Sequence, residues 1–331
     1  MKKIIALLLV TFMVFGFSAC KNDEEKTTIR IGAMVGPTAM GMVKLMQDSD
    51  EGKTENSYEF AELANDASAL VAPISKGELD IAAVPSNLAS NIYNNTDGAV
   101  KVIAINALGV LNLVERGESI NSIADLKGKS IYATGQGAVP EYTIRYILTQ
   151  NGLDADTDVN IIWCSDTTEA LNYVSEVVDA IAILPQPFVT VASAKIAQTK
   201  TKDEPGLRVV MDLNDAWAEI NGDDCIVTGV VIVRTEFAEE YPEQLAKFLE
   251  EYEASVAFTN DNPEEASEMI AERGIVGAAA VAQKALPGCH VVCITGDEME
   301  AKVESFLEIL FEMNPKAIGG ALPGEDFYYK K

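Results

Sequence analysis

The sequence predicts an α/β fold of two lobes with like topology and mainly parallel sheets, and three observations carry that expectation. Between Ile29 and Arg234, short apolar runs alternate with segments of helical period, the pattern of strands joined by crossover helices. A motif of strand, glycine and proline turn, then helix occurs twice, about a hundred residues apart. Late in the chain, Val230-Val231-Ile232-Val233 and the helical segments after it return to the first half.

The first copy runs Ile29-Arg30-Ile31-Gly32-Ala33-Met34, then Gly36-Pro37, then a helix through Met40, Val43, Leu45 and Met46. The second runs Ile131-Tyr132-Ala133-Thr134, then Gly137 to Pro140, then a helix through Ile144, Ile147 and Leu148. Each copy gives another signal roughly fifty residues on. Asp80 precedes the strand Ile81 to Val84 and Pro85 follows it, while Asp179 precedes Ala180 to Leu184 and Pro185 follows. Ligands of open α/β sheets bind outside the carboxyl ends of the strands, so two such edges facing one another make a cleft. The turns Val35 to Ala39 and Gly135 to Pro140 are its expected jaws. Asn106 to Val110 carries the chain outward and Thr228 to Val231 brings it back, so these crossings serve as hinges. In the tail, Phe237 to Thr259 reads as one helix interrupted near its start by Pro242, with Leu245, Phe248, Leu249, Tyr252 and Val256 on one face. Pro263 to Arg273 is another, started by proline and stopped by Gly274.

The glycine turn of the second copy excludes two nucleotide classes. Gly135, Gly137 and Pro140 give G-x-G-x-x-P where a dinucleotide turn needs a third glycine, and Gly128-Lys129-Ser130 ends like a phosphate loop but has Ile123 at the first glycine's place.

The N-terminus reads as an export signal. Met1-Lys2-Lys3 is basic, and Ile4 to Phe15 is apolar except for Thr11, too short to span a bilayer. Phe17-Ser18-Ala19-Cys20 resembles the bacterial lipobox, with Phe17 where leucine is usual. The resemblance implies a signal peptide over 1–19 and diacylation of Cys20. Residues 20–28 read as a flexible polar tether. An expected first lobe of 29–108 and 231–331 then encloses a second of 109–230.

The net charge of −26 opposes nucleic-acid binding. Of the cysteines after Cys20, Cys225 and Cys289 are the expected disulfide pair, although spacing alone fixes no connectivity. Cys289-His290-x-x-Cys293 groups zinc-ligand types at a spacing that matches no standard finger. Cys164, inside Ile161-Ile162-Trp163-Cys164, reads as a buried free thiol.

"SKGELDIAAVPSNLA", "SINSIADLKGKSIYATGQGAVPEYTIRYILTQNGLD", "LPQPFV" and "FLEEYEASVAFTNDNPEEASEMI", in this order, resemble the solute-binding lipoproteins of ABC importers in the nitrate, sulfonate, taurine and thiamine-precursor group. The resemblance implies a two-lobed type II periplasmic-binding-protein fold, with a hinge of two crossing strands and a helical C-terminal part. It implies a monomer tethered to the outer face of the bacterial cell membrane, which captures a small solute and presents it to an ABC permease. The family's cleft contacts map onto Pro37, Thr38 and Ala39; Ser86 and Asn87; Gln136, Gly137 and Ala138; Gln186, where the family often has glutamate; and Thr228 in the returning crossing. No cofactor or metal is implied.

Free N–H groups at two helix starts favour a sulfonate-like anion, yet neither jaw turn holds a Lys or Arg. Arg30 reads as mid-strand and Arg145 as part of a solvated helix face. Trp163, Tyr142, Phe188 and Trp217 offer stacking surfaces, so a planar heterocycle is the leading expectation and a sulfonate the second. The same fold occurs in enzymes of menaquinone and pyrimidine synthesis, but the only histidine, His290, lies outside every expected cleft loop and no base adjoins a nucleophile. A surface adhesin is the remaining alternative, and it requires a large exposed apolar patch.

Overall fold

The computed structural model describes residues 27–222 and 224–330, so the expected signal peptide, Cys20 and most of the tether lie outside the described residues. The strands are β1 Thr28–Ala33, β2 Ser57–Phe60, β3 Ile81–Pro85, β4 Val100–Ala107, β5 Leu111–Glu115, β6 Ser130–Ala133, β7 Asn160–Trp163, β8 Ile181–Pro185, β9 Arg208–Asp212, β10 Gly229–Arg234 and β11 Val291–Ile294. They form two sheets, ordered β11-β4-β10-β3-β1-β2 and β7-β6-β8-β5-β9.

The two sheets repeat one plan, down to register. Ile31 pairs with Ile81 in the first and Ile131 with Ile181 in the second, both parallel. Pro85, at the end of β3, faces Gly229 at the start of β10; Pro185, at the end of β8, faces Leu111 at the start of β5. Each lobe thus receives one strand directly from the other. A chain entering at the edge where the parallel strands end must run against them, and β10 and β5 are antiparallel to their neighbours. The sheets are therefore mixed, which corrects the expectation of mainly parallel ones.

Alternation along the strands of the first sheet places residues in two cores, and a third gathers Val114, Ala182 and Leu184 of the second. Ile29, Ile31 and Ala33 join helices Val43–Asp50 and Pro242–Asp261 on one side of the first sheet. Ala82 and Val84 face a larger core that continues into the second sheet through Ile131, Ile144 and Trp217. Helix Gly296–Met313 lays Met299, Val303, Phe306, Leu307 and Leu310 along that continuous core. Its Phe306 ring lies 5.4 Å from Trp217.

Several local expectations change. The long tail helix is two, Thr235–Glu240 and Pro242–Asp261, because Pro242 lacks the N–H needed to continue the first. The helix after Gly36 is likewise two, Pro37–Met40 and Val43–Asp50. Cys164, Cys225 and Cys289 are free thiols. Cys225 belongs to the continuous core and Cys289 to the other, so the expected disulfide does not form. Burial pushes the Cys289 thiol up to about 12. Cys164 is half-buried rather than buried.

Candidate functional site

The first jaw is built at the end of β1. Gly36 has φ 114°, a value that disfavours any side chain, and Pro37 opens the one-turn helix Pro37–Met40 without stranding an N–H. Pro37 is half-buried, whereas Thr38 and Ala39 are buried. Thr38 Oγ1 donates to the Met34 carbonyl at 2.8 Å, and the Thr38 carbonyl accepts from Asn106 Nδ2 at 3.0 Å. Behind this turn, Ser255 Oγ donates to the Gly41 carbonyl at 2.7 Å and accepts from the Leu45 N–H at 3.0 Å.

Ser86, at the start of helix Ser86–Asn95, donates its hydroxyl to the Val227 carbonyl and its N–H to the Thr228 carbonyl. The Thr228 N–H donates to Ala107 at 3.1 Å. Ser86 and Thr228 are thereby tied directly to each other at the start of β10, and Thr38 is tied to β4 through Asn106.

In the second lobe, Gln136 and Gly137 are exposed and Ala138 is half-buried, ahead of helix Val139–Gln150. The Gly137 N–H is already engaged, because Glu141 Oε2 accepts it at 2.7 Å. Arg145 Nε holds the other Glu141 oxygen at 2.7 Å, and Arg145 Nη1 reaches Asp156 at 2.8 Å. Arg145 is therefore committed to two carboxylates, a sharper role than a solvated face. Gln186 donates its N–H to Val110 at 3.0 Å and accepts from Thr190 Oγ1 at 2.9 Å. It also packs beside Gly288, where a Cβ would come within 3.1 Å of its side chain.

A turn missed in the sequence links the second jaw to helix Ser86–Asn95 of the first lobe. Asn314 Nδ2 donates to Tyr142 Oη at 3.0 Å, and Tyr142 Oη in turn donates to the Gly137 carbonyl at 3.4 Å. Three residues on, the Ala317 carbonyl accepts from Asn87 Nδ2 at 3.4 Å. The signal was Asn314-Pro315 after the apolar stripe of the last helix, which reads as an ordinary helix stop.

The stacking expectation is corrected for two aromatics. Trp217 is fully buried and Tyr142 nearly so, both within the continuous core, while Trp163 and Phe188 are half-buried against core clusters. His290 donates from Nδ1 to the Gly109 carbonyl, and its own carbonyl accepts from Leu108, so it braces the outward crossing. Nearby, burial raises the Asp212 carboxyl above its ordinary value, against the pull of the Asn214 N–H and of His290. Among the described residues, no group of three or more His, Cys, Asp or Glu side chains is placed to hold a metal ion. Two surface hollows, of about 440 Å³ beside Tyr173 and about 270 Å³ beside Lys44, are lined by none of the ten expected contacts.

Two register-matched sheets joined by exchanged strands define the class, a type II periplasmic-binding-protein fold. The chain belongs to the family described as NMT1/THI5 like, whose match covers residues 98–266, just over half of its length. An ABC transporter protein of Parabacteroides distasonis superposes with a TM-score of 0.75 at 23% identity, over 92% of this chain and 99% of that one. The periplasmic aliphatic sulphonate binding protein SsuA of Escherichia coli gives 0.70 at 18% identity, over 92% of each chain. A Brucella abortus (strain 2308) protein whose name calls it a binding protein is 26% identical over 175 residues, 53% of this chain and 50% of that protein. The chain thus spans about half the length of the curated relatives it matches.

Proposed function

We propose that this protein captures a small solute between its two lobes, residues 29–108 with 231–331 and residues 109–230, and delivers it to an ABC permease. The carrying observation is the exchange of β5 and β10 between sheets of matched register. Two crossings of this kind leave two strand-end edges side by side with only short loops to bend. The protein acts as a monomer, without catalysis, anchored through Cys20 outside the cytoplasmic membrane. Its ten contact residues are those mapped above, Pro37, Thr38 and Ala39 on one side and Gln136, Gly137 and Ala138 on the other.

Of the two solute classes, a planar heterocycle is favoured over a sulfonate. Glu141 stands where an oxyanion would meet the Gly137 N–H, and like charge opposes it there. Native mass spectrometry and thermal shift on the mature chain, against sulfonates, nitrate, pyrimidines and aromatic acids, test the proposal. One class should bind one-to-one and stabilise by about 2.7 kcal/mol at a hundredfold excess over Kd. Turnover of any of them would replace capture with catalysis.

A further inference from the structure

We infer that closure of the lobes turns on two pivots, Gly109–Val110 and Ile226–Val227, and that Asn214 is the positioning residue that makes the two turn together. The inference rests on the capture function proposed above, which requires the lobes to move. Each pivot is the place where the backbone passes from the hydrogen bonds of one lobe to those of the other. On the outward crossing, His290 of the first lobe accepts the Leu108 N–H at 3.2 Å and donates from Nδ1 to the Gly109 carbonyl. The next carbonyl, that of Val110, accepts instead from the second lobe, from the Gln186 N–H at 3.0 Å and Asn112 Nδ2 at 3.2 Å. On the returning crossing, the Ile226 N–H donates to second-lobe Asn214 Oδ1 at 3.1 Å, whereas the Val227 carbonyl accepts the hydroxyl of first-lobe Ser86. Backbone groups held by one lobe move with it, so the torsions between the two sets of bonds absorb the rotation.

Asn214 reaches both pivots from the second-lobe side. Gly109 has no positive φ, so its lack of a side chain serves space and not backbone conformation. A Cβ there would stand 2.6 Å from both Cβ and Oδ1 of Asn214. The oxygen that fills this space is the one that accepts the Ile226 N–H. Asn214 is itself fixed to the second sheet, since its N–H donates to Asp212 Oδ1 at 2.8 Å and Asp212 of β9 pairs with Asn112 of β5. One side chain is thus packed on the outward crossing and bonded to the returning one. Close-packed neighbours do not shift independently, so a turn at one pivot is carried to the other.

Methyl relaxation dispersion NMR on the mature chain without solute reads both pivots through Val110, Ile226 and Val227, on the microsecond-to-millisecond scale of hinge motion. The wild type should show one exchange rate common to all three. Asn214→Ala, which removes the shared oxygen, should split them into two distinct rates, and Asn214→Asp, which keeps an acceptor there, should restore the common one. Gly109→Ala should push Asn214 off Ile226 and speed hydrogen exchange of the Ile226 amide about tenfold, the loss of one net hydrogen bond. Should Gly109→Ala fail to fold, the two Asn214 variants carry the test. Two rates in the wild type, no exchange at either crossing, or one common rate surviving in Asn214→Ala overturns the inference. No solute enters these measurements, so each of those outcomes leaves capture to the solute panel. A silent panel beside a common wild-type rate removes capture and leaves the coupled hinge.

Discussion

Asp80 precedes β3 and its side chain is almost wholly enclosed. It accepts from the Arg30 N–H at 3.0 Å, from Arg30 Nε and Nη2 at 2.8 and 2.6 Å, and from Arg234 Nη2 at 3.2 Å. Burial alone would raise its carboxyl, but the bonds from Arg30 and then Arg234 outweigh that and hold it below its ordinary value. Arg234 ends β10, so this carboxylate fastens the returning strand to β1 and β3. Asp80→Asn should cost about 2–3 kcal/mol at pH 7, less than the ~3–5 of a wholly buried pair because Arg30 reaches solvent. A carboxyl whose folded pKa is depressed contributes stability that is complete above its unfolded value of about 3.9 and is lost as pH falls through the folded value. Urea unfolding at neutral and strongly acidic pH should therefore show the difference between wild type and variant shrinking in acid. An equal difference at both would mean that the pairing is not electrostatic.

Among the elements, helix Gly296–Met313 has the largest structural consequence for the least attention drawn by its sequence. Its buried positions 299, 303, 306, 307 and 310 follow helical spacing, and they pack on Trp217 of the second lobe as well as on Ile318 and Phe327 nearby. Phe306→Ala should destabilise by about 3–5 kcal/mol, since a large ring leaves a cavity that a core shared by two sheets cannot easily close. A denaturation midpoint lowered by less than the equivalent of ~1 kcal/mol would show that this contact is dispensable.

The repeat was legible because Pro85 and Pro185 end like strands 100 residues apart, and the pairing of Ile31 with Ile81 and Ile131 with Ile181 keeps the same offset. Thr38 and Ser86 were singled out by the family resemblance and not by the repeat, and the hydrogen bonds that anchor them to Met34 and Val227 had no sequence signature. The roles of Trp217 and Tyr142 were not, since an aromatic on a helix looks the same whether it stacks on a ligand or fills a core. Nor was Glu141 as partner of the Gly137 N–H, because an acid in a first turn reads simply as a complement to the helix dipole.

At the scale of the whole molecule, the exchanged strands and the shared core impose opposite demands. Closure on a solute requires that the short loops at Leu108 to Val110 and before Gly229 bend while each sheet stays intact. Yet Ile144 and Trp217 of the second lobe lie in one core with Val84, Ile92 and Phe306 of the first, so the lobes cannot part far without exposing apolar surface. Asn314 on Tyr142 and Ser305 on Asp224 add polar ties across the same boundary. Bending is therefore confined to the side away from the last helix, where each lobe keeps a core of its own beside the shared one. Trp217 sits in the shared core, whereas Trp163 is in β7 at the edge of the second sheet. Unfolding should be a single cooperative transition, with Trp163→Phe and Trp217→Phe variants giving fluorescence midpoints that coincide with far-ultraviolet circular dichroism. Two separated transitions, the Trp163 signal lost first, would show that the second lobe stands on its own and that the last helix is a tether and not part of a common core.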